Sequence, residues 1–155
     1  MPYSSTMSAS EREAFLAEVH IGILSVEEPG RGPLALPIWY EYRDGVVEFG
    51  TDRDSHKARL LLAAGRATLA VQDETPPYRY VSVEGPVSLT DCARDVLRIA
   101  TRYLGEEFGA WYAGENPAGP SNVVFRLSPE HWRTQDFSAA TEAATEAVAS
   151  AGHDA

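Results

Sequence analysis

Turn-forming residues interrupt this chain so regularly that no strand or helix can run far. Pro29-Gly30-Arg31-Gly32-Pro33, Asp44-Gly45, Gly65, Pro76-Pro77, Gly105 and Ser128-Pro129 cut it into short apolar stretches. The stretches Ile21–Val26, Leu34–Tyr42, Val46–Thr51, Ala67–Gln72, Tyr78–Leu89 and Asn122–Leu127 read as strands, and His131–Phe137 as one more extended segment. Pro37 lacks an N–H for a ladder, so it marks an edge or a bulge in the second strand. Asp44-Gly45 supplies a tight hairpin. In Tyr78–Leu89 the alternation sets Arg79, Val81 and Val83 on one face and Tyr80, Ser82 and Glu84 on the other.

Helices are inserted between these strands. Ser8-Ala9-Ser10-Glu11 matches a capping box, and Phe15, Leu16 and Val19 follow on one face. A second helix is expected over Ser55–Ala64, closed by Gly65, and a third over Asp91–Leu104, where Val96, Leu97, Ala100, Tyr103 and Leu104 form one stripe. Glu106–Ala113 adds a further turn or two. Strands and helices do not alternate strictly, and neither a Gly-x-Gly-x-x-Gly nor a Walker pattern occurs. The expected fold is therefore mainly β with peripheral helices, a six- to seven-stranded antiparallel barrel over residues 8–137. Residues 1–7 are expected to be a flexible N-terminus. Residues 138–155, rich in alanine, threonine and glutamate, are expected to be a disordered tail or at most a weak solvent helix.

Charge narrows the function. A net charge of −10 over 155 residues argues against nucleic acid or an anionic membrane as partner, since both need a positive field. Cys92 is the single cysteine, and His20, His56, His131 and His153 show no helical pair, so no protein-held metal is expected. No apolar run approaches the ~20 residues of a membrane span. The N-terminus carries no basic-then-apolar signal, which makes the cytoplasm the default location.

Against this acidic background one stretch stands out. Val46–Leu62 reads as a strand, a polar turn over Asp52–Asp54, and a helix beginning at Ser55. The helix start carries His56, Lys57 and Arg59, and Lys57 is the only lysine among 13 basic residues. Free N–H groups and positive side chains at one helix N-terminus are the elements of an anion site, although the same residues also suit a solvated face. No nucleophile stands beside a base, so no catalytic side chain is assigned.

Two segments together resemble the pyridoxamine phosphate oxidase-like proteins, the flavin-binding split-barrel superfamily. Thr51…Ser55-His56-Lys57-Ala58-Arg59-Leu60 is similar to its phosphate segment, and Arg79-Tyr80-Val81-Ser82-Val83-Glu84-Gly85 to its Arg-Gln-Val-Arg-Val-Glu-Gly strand. Pro37-Ile38-Trp39-Tyr40 falls where the family's strand passes the cofactor ring. The resemblance spans roughly Phe15 to Phe137 and implies a split β-barrel homodimer with cofactor sites at the interface. It implies that Lys57, with Ser55, His56 and Arg59 nearby, holds the phosphate of FMN or of the deazaflavin coenzyme F-420. Thr51 and the Pro37, Ile38 and Trp39 backbone would line the ring, with Gln72 and Tyr80 coming in from adjacent strands.

The sequence also departs from the family pattern. His56 stands for an arginine, Tyr80 for the glutamine and Ser82 for the second arginine, and the Trp- and Arg-rich substrate segment has no counterpart after Phe137. These departures point away from vitamin B6 oxidation, and the Pro76-Pro77-Tyr78-Arg79-Tyr80-Val81-Ser82-Val83-Glu84-Gly85 version resembles the actinobacterial branch that includes deazaflavin users. The expected function is hydride transfer between the cofactor and a small organic substrate. A non-catalytic carrier of such a cofactor, or a haem-binding relative, is the alternative.

Overall fold

The computed structural model describes residues 5–152. Eight strands and five helices run in the order α1 (Ala9–Ala17), β1 (Gly22–Val26), β2 (Leu34–Ile38), β3 (Glu41–Arg43), β4 (Val46–Asp52), α2 (His56–Ala64), β5 (Arg66–Gln72), β6 (Arg79–Leu89), α3 (Val96–Leu104), α4 (Glu106–Glu115), β7 (Asn122–Leu127), β8 (His131–Asp136) and α5 (Ser138–Ala151). The strands form one curled antiparallel sheet in the order β2-β1-β5-β6-β7-β4-β3, with β8 paired to β6. This is the split barrel, mainly β with peripheral helices.

The long strand β6 makes the curl. Its residues Arg79–Glu84 pair with β8, whereas Val87–Leu89 pair with β7. At the changeover sits Gly85, where a Cβ would lie 1.8 Å from the Ser128 carbonyl oxygen, so no other residue fits without moving the backbone. Alternation then selects the inside. Val81 and Val83 of β6, Leu69 and Val71 of β5, Val47 and Phe49 of β4, and Phe125 and Leu127 of β7 all point inward and are buried. Phe15 and Leu16 of α1 and Leu61 of α2 join the same core.

The stretch Leu34–Tyr42 is two strands, and the break falls at Trp39-Tyr40 rather than at Pro37. Pro37 sits in edge strand β2 opposite Ile23, where its missing N–H costs no ladder bond. Tyr40 is fully buried and donates its hydroxyl to the Leu16 carbonyl at 2.7 Å. Its own N–H donates to the Tyr103 hydroxyl, and its carbonyl accepts from Tyr103 and Arg102. Those bonds replace a ladder and let the chain step from β2, at one end of the sheet, to β3 at the other. The two edges therefore face each other across a two-residue link, and α3 is bound over the gap.

The two ends of the chain meet expectation differently. Residues 1–4 lie outside the described part, but Ser5 bridges to Asp136 and Met7 is buried, its N–H donating to Thr134 Oγ1 at 2.9 Å. The segment just before α1 is thus tied down rather than flexible. Of the two expectations for the tail, disorder or a weak solvent helix, the structure has the helix, over Ser138–Ala151, started by the N–H and hydroxyl of Ser138, both donating to Asp136 Oδ1. Alanine loses no side-chain entropy in a helix, which favours this conformation. No side chain of α5 is buried, so it is helix without an apolar anchor. No helix among the described residues is long and apolar enough to cross a membrane.

Candidate functional site

The gap between the sheet edges is a cleft of about 570 Å³. Pro37, Ile38 and Trp39 form its β2 wall, Glu48 and Gly50 of β4 its floor, and Lys57 of α2 one end. Residues 92–95 and Arg98 close it from the α3 side.

Lys57 is presented by a well-defined helix start. Ser55 is the N-cap: its hydroxyl accepts from the Ala58 N–H at 3.1 Å and donates to the Asp52 carbonyl at 2.7 Å. Thr51, buried at the end of β4, bonds the same hydroxyl at 3.3 Å. Thr51 and Ser55 therefore fix the turn that aims Lys57 into the cleft. The side chain of Lys57 is half-buried and has no hydrogen bond or ion pair among the described residues. Burial, followed by the nearby Arg94 guanidinium, holds its ammonium pKa below the ordinary lysine value.

The other members of the expected site are placed elsewhere. His56 turns away to Glu28, Nε2 to Oε1 2.8 Å, and Arg59 donates to the Asp54 carbonyl at 2.7 Å. Neither lines the cleft. Gln72 and Tyr80 pair across β5 and β6, exposed on the outer face of the sheet and also outside the cleft. Pro37 lies on that same face beside Ile23, which in turn pairs with Ala70. The outer face is thus continuous with the cleft rim, and it exposes Ile21, Ile23, Tyr78 and Tyr80. Trp39 stacks on Tyr103 at 5.1 Å, with Tyr112 tilted against its ring at 5.4 Å, so its indole belongs to the wall. Trp132 packs edge-on to Tyr42, under Arg12, partly buried against the core and outside the cleft.

Arg94 is the site residue that sequence reasoning missed. It sits in the irregular segment before α3, which begins at Val96 behind the N-cap Asp95 rather than at Asp91. Its guanidinium also has no hydrogen bond or ion pair among the described residues. The remaining charges of the cleft do pair: Arg98 with Glu41 at 3.0 Å and Asp95 at 3.5 Å, and Arg43 and Arg126 with Glu48 at 3.8 and 3.6 Å. One carboxylate group outside the cleft has metal-like spacing. Glu18, His20 and Asp73 come within 4.8 Å of one another, but Arg79 sits among them, 2.7 Å from Asp73 and 3.6 Å from Glu18.

Comparison with known proteins gives the family and the fold. The family model described as pyridoxamine 5'-phosphate oxidase matches residues 9–136. No protein of curated function matches the sequence. Among solved structures, a conserved hypothetical protein, Rv2991 from Mycobacterium tuberculosis, superposes with TM-score 0.68 at 24% identity, covering 85% of this chain and 86% of that one. An FAD-binding protein from Mesorhizobium loti has TM-score 0.63 at 19% identity, with 86% and 97% covered. An F-420 reductase has TM-score 0.59 at 21% identity, with 78% and 94% covered. At these identities the structural likeness speaks for the fold.

Proposed function

The chain belongs to the pyridoxamine 5'-phosphate oxidase family, and from that premise we propose that it is a flavin- or deazaflavin-dependent oxidoreductase acting on a small organic substrate. Lys57 carries the reading. An ammonium held half-buried, at a cost to its charged form and with no acidic partner, is placed for an anionic ligand rather than for the fold. The donor set fits a cofactor phosphate: a point-charge lysine at a helix N-terminus. The cleft volume lies within the range of small-molecule sites, and its Pro37–Trp39 wall offers backbone groups and apolar surface to a planar ring. FMN or coenzyme F-420 would supply the hydride chemistry when bound. The chain's own residues bind and orient it: Thr51 and Ser55 fix the turn under Lys57, and Tyr103 and Arg102 hold α3 as a roof.

The same reading includes a cytoplasmic homodimer. The outer face of β1, β5 and β6 bears Ile23, Ala70 and Tyr80 and meets the cleft rim at Pro37, so a second copy on this face would cover apolar surface and enclose the ring. A haem would require an axial donor. His20 bonds Glu18, His131 stands beside Glu130, and neither lines the cleft, so a haem there would have to take Cys92 or Tyr112 as its axial donor. An absorption spectrum of the purified protein distinguishes the classes, as a flavin band pair, a single deazaflavin band or a Soret band. In titrations with FMN and coenzyme F-420, Lys57→Ala should weaken binding about tenfold to a hundredfold, as expected for one charge-assisted hydrogen bond of roughly 1.5–3 kcal/mol. Unchanged affinity would remove the anion site from α2. Light scattering should give a dimer, and a monomer with cofactor firmly bound would overturn the interface site.

A further inference from the structure

The cofactor reading leaves open which anion the cleft accepts, and the two cations without partners bear on that choice. Arg94 is not a stray surface arginine. Its side chain lies flat across Gly50 on the floor of the cleft: a Cβ at position 50 would sit 2.5 Å from Arg94 Nε and 2.6 Å from its Cδ. Gly50 stands mid-strand opposite Val124, where a side chain would be the ordinary choice and glycine weakens the strand. The missing side chain makes room for the arginine.

Every other charge facing the cleft is matched. Glu41 and Asp95 take Arg98, and Glu48 takes Arg43 and Arg126, while Cys92 and Tyr112 complete the titratable groups on the walls. Lys57 and Arg94 remain, close enough for Arg94 to depress the lysine pKa, without a carboxylate between them. Two like charges held together in a partly desolvated cleft are mutually unfavourable until a counter-charge arrives. In a chain of net charge −10, diffuse surface charge does not account for the pair.

Building on the cofactor reading, we propose that Lys57 and Arg94 form a single site for a phosphate monoester dianion, with Arg94 as the specificity-determining residue that discriminates a monoester from a diester. A phosphate monoester carries close to two negative charges at neutral pH and offers three terminal oxygens, enough for an ammonium and a guanidinium at once. A diester carries one charge and two terminal oxygens. The distinction bears on the cofactor, because FMN ends in a monoester whereas coenzyme F-420 is joined through a diester.

The test uses one ring and three tails: FMN, its methyl phosphodiester, and riboflavin, titrated into the full chain at pH 7.5 by flavin fluorescence. Wild type should bind FMN at least about tenfold more tightly than the methyl diester, and the diester more tightly than riboflavin. Arg94→Ala should lose FMN affinity by about tenfold and bring the monoester-to-diester ratio to within about twofold. Arg94→Gln, which keeps the side chain across Gly50, should lose the same discrimination, so a packing defect in the alanine variant would not imitate the result. Equal affinity of wild type for FMN and its diester, or a ratio unchanged in both variants, would overturn the role of Arg94 while leaving the cofactor reading intact. Riboflavin binding as tightly as FMN, or no flavin binding at all, would overturn this inference, and the cofactor reading falls with it only where coenzyme F-420 also fails to bind.

Discussion

Two basic side chains of this protein occupy comparable half-buried positions and have opposite surroundings. Arg79, at the start of β6, donates to Asp73 at 2.7 Å, lies 3.6 Å from Glu18, and covers the ring of Phe15 at 4.6 Å. Lys57, at the start of α2, has Arg94 as its charged neighbour and no acid among the described residues. The first arrangement is closed: acids, cation and aromatic ring satisfy one another, and with His20 bonded to Glu18 nothing is left to bind. The second is open. A cluster that serves the fold is neutralised by the fold, whereas a cluster that serves a ligand stays unbalanced until the ligand comes.

Reversing the open charge should give the largest effect. Lys57→Glu places a carboxylate against a cofactor phosphate and turns attraction into repulsion, a swing of several kcal/mol in a partly desolvated site. FMN affinity should fall by more than a hundredfold, and salt should not rescue it fully. A variant that binds within tenfold of wild type would place Lys57 with the solvated residues and dissolve the comparison. The closed cluster should respond in the opposite sense. Arg79→Met leaves Asp73 and Glu18 facing each other without their cation, and should cost roughly 1–2 kcal/mol of stability after allowance for solvent screening of a group one-third exposed. Cofactor affinity should not change. Urea unfolding and flavin titration of the same variant test both halves, and a loss of affinity without a loss of stability would show that Arg79 had been assigned to the wrong class.

How much of this was legible in the sequence follows from the range of the forces involved. Local signals read well: the capping box at Ser8, the Ser55 cap and the Gly65 stop of α2 involve neighbours in the chain, and the inward set of Val81 and Val83 follows from strand period. The break at Trp39-Tyr40 did not, because it is held by Tyr103 and Arg102 from a distant helix. Arg94 was concealed for the same reason. Its stretch reads as the first turn of a helix, and only the fold carries it across β4. The available signal was Gly50, an isolated glycine inside an apolar strand, which marks close approach by something else. The tail was legible only in part: a segment with no apolar anchor reads as disordered or as a weak solvent helix, and the second alternative is the one that α5, with no buried side chain, matches.

The smallest effect expected is also the one that tests whether the open cluster is truly unbalanced, and it is read without any ligand. Burial and Arg94 lower the pKa of Lys57 in the folded state below its unfolded value. Below the lowered pKa both states are protonated, and the cofactor-free fold carries the full penalty of holding that charge. As pH rises through the lowered pKa toward the unfolded one, the unfolded chain binds more protons than the folded one, and this group's contribution to stability increases. Tyrosines work in the other direction. Tyr42, pushed up to about 12 chiefly by burial, and the more deeply buried Tyr40 lose stability for the fold as pH climbs past the ordinary tyrosine range. They do so equally in wild type and in Lys57→Met, so the difference between the two proteins isolates the lysine. Lys57→Met should be the more stable apo protein at pH 7, with the gap shrinking or reversing by pH 10. A gap that is absent at pH 7, or that widens with pH, would mean that the ammonium is well solvated and that the contrast with Arg79 is one of exposure alone.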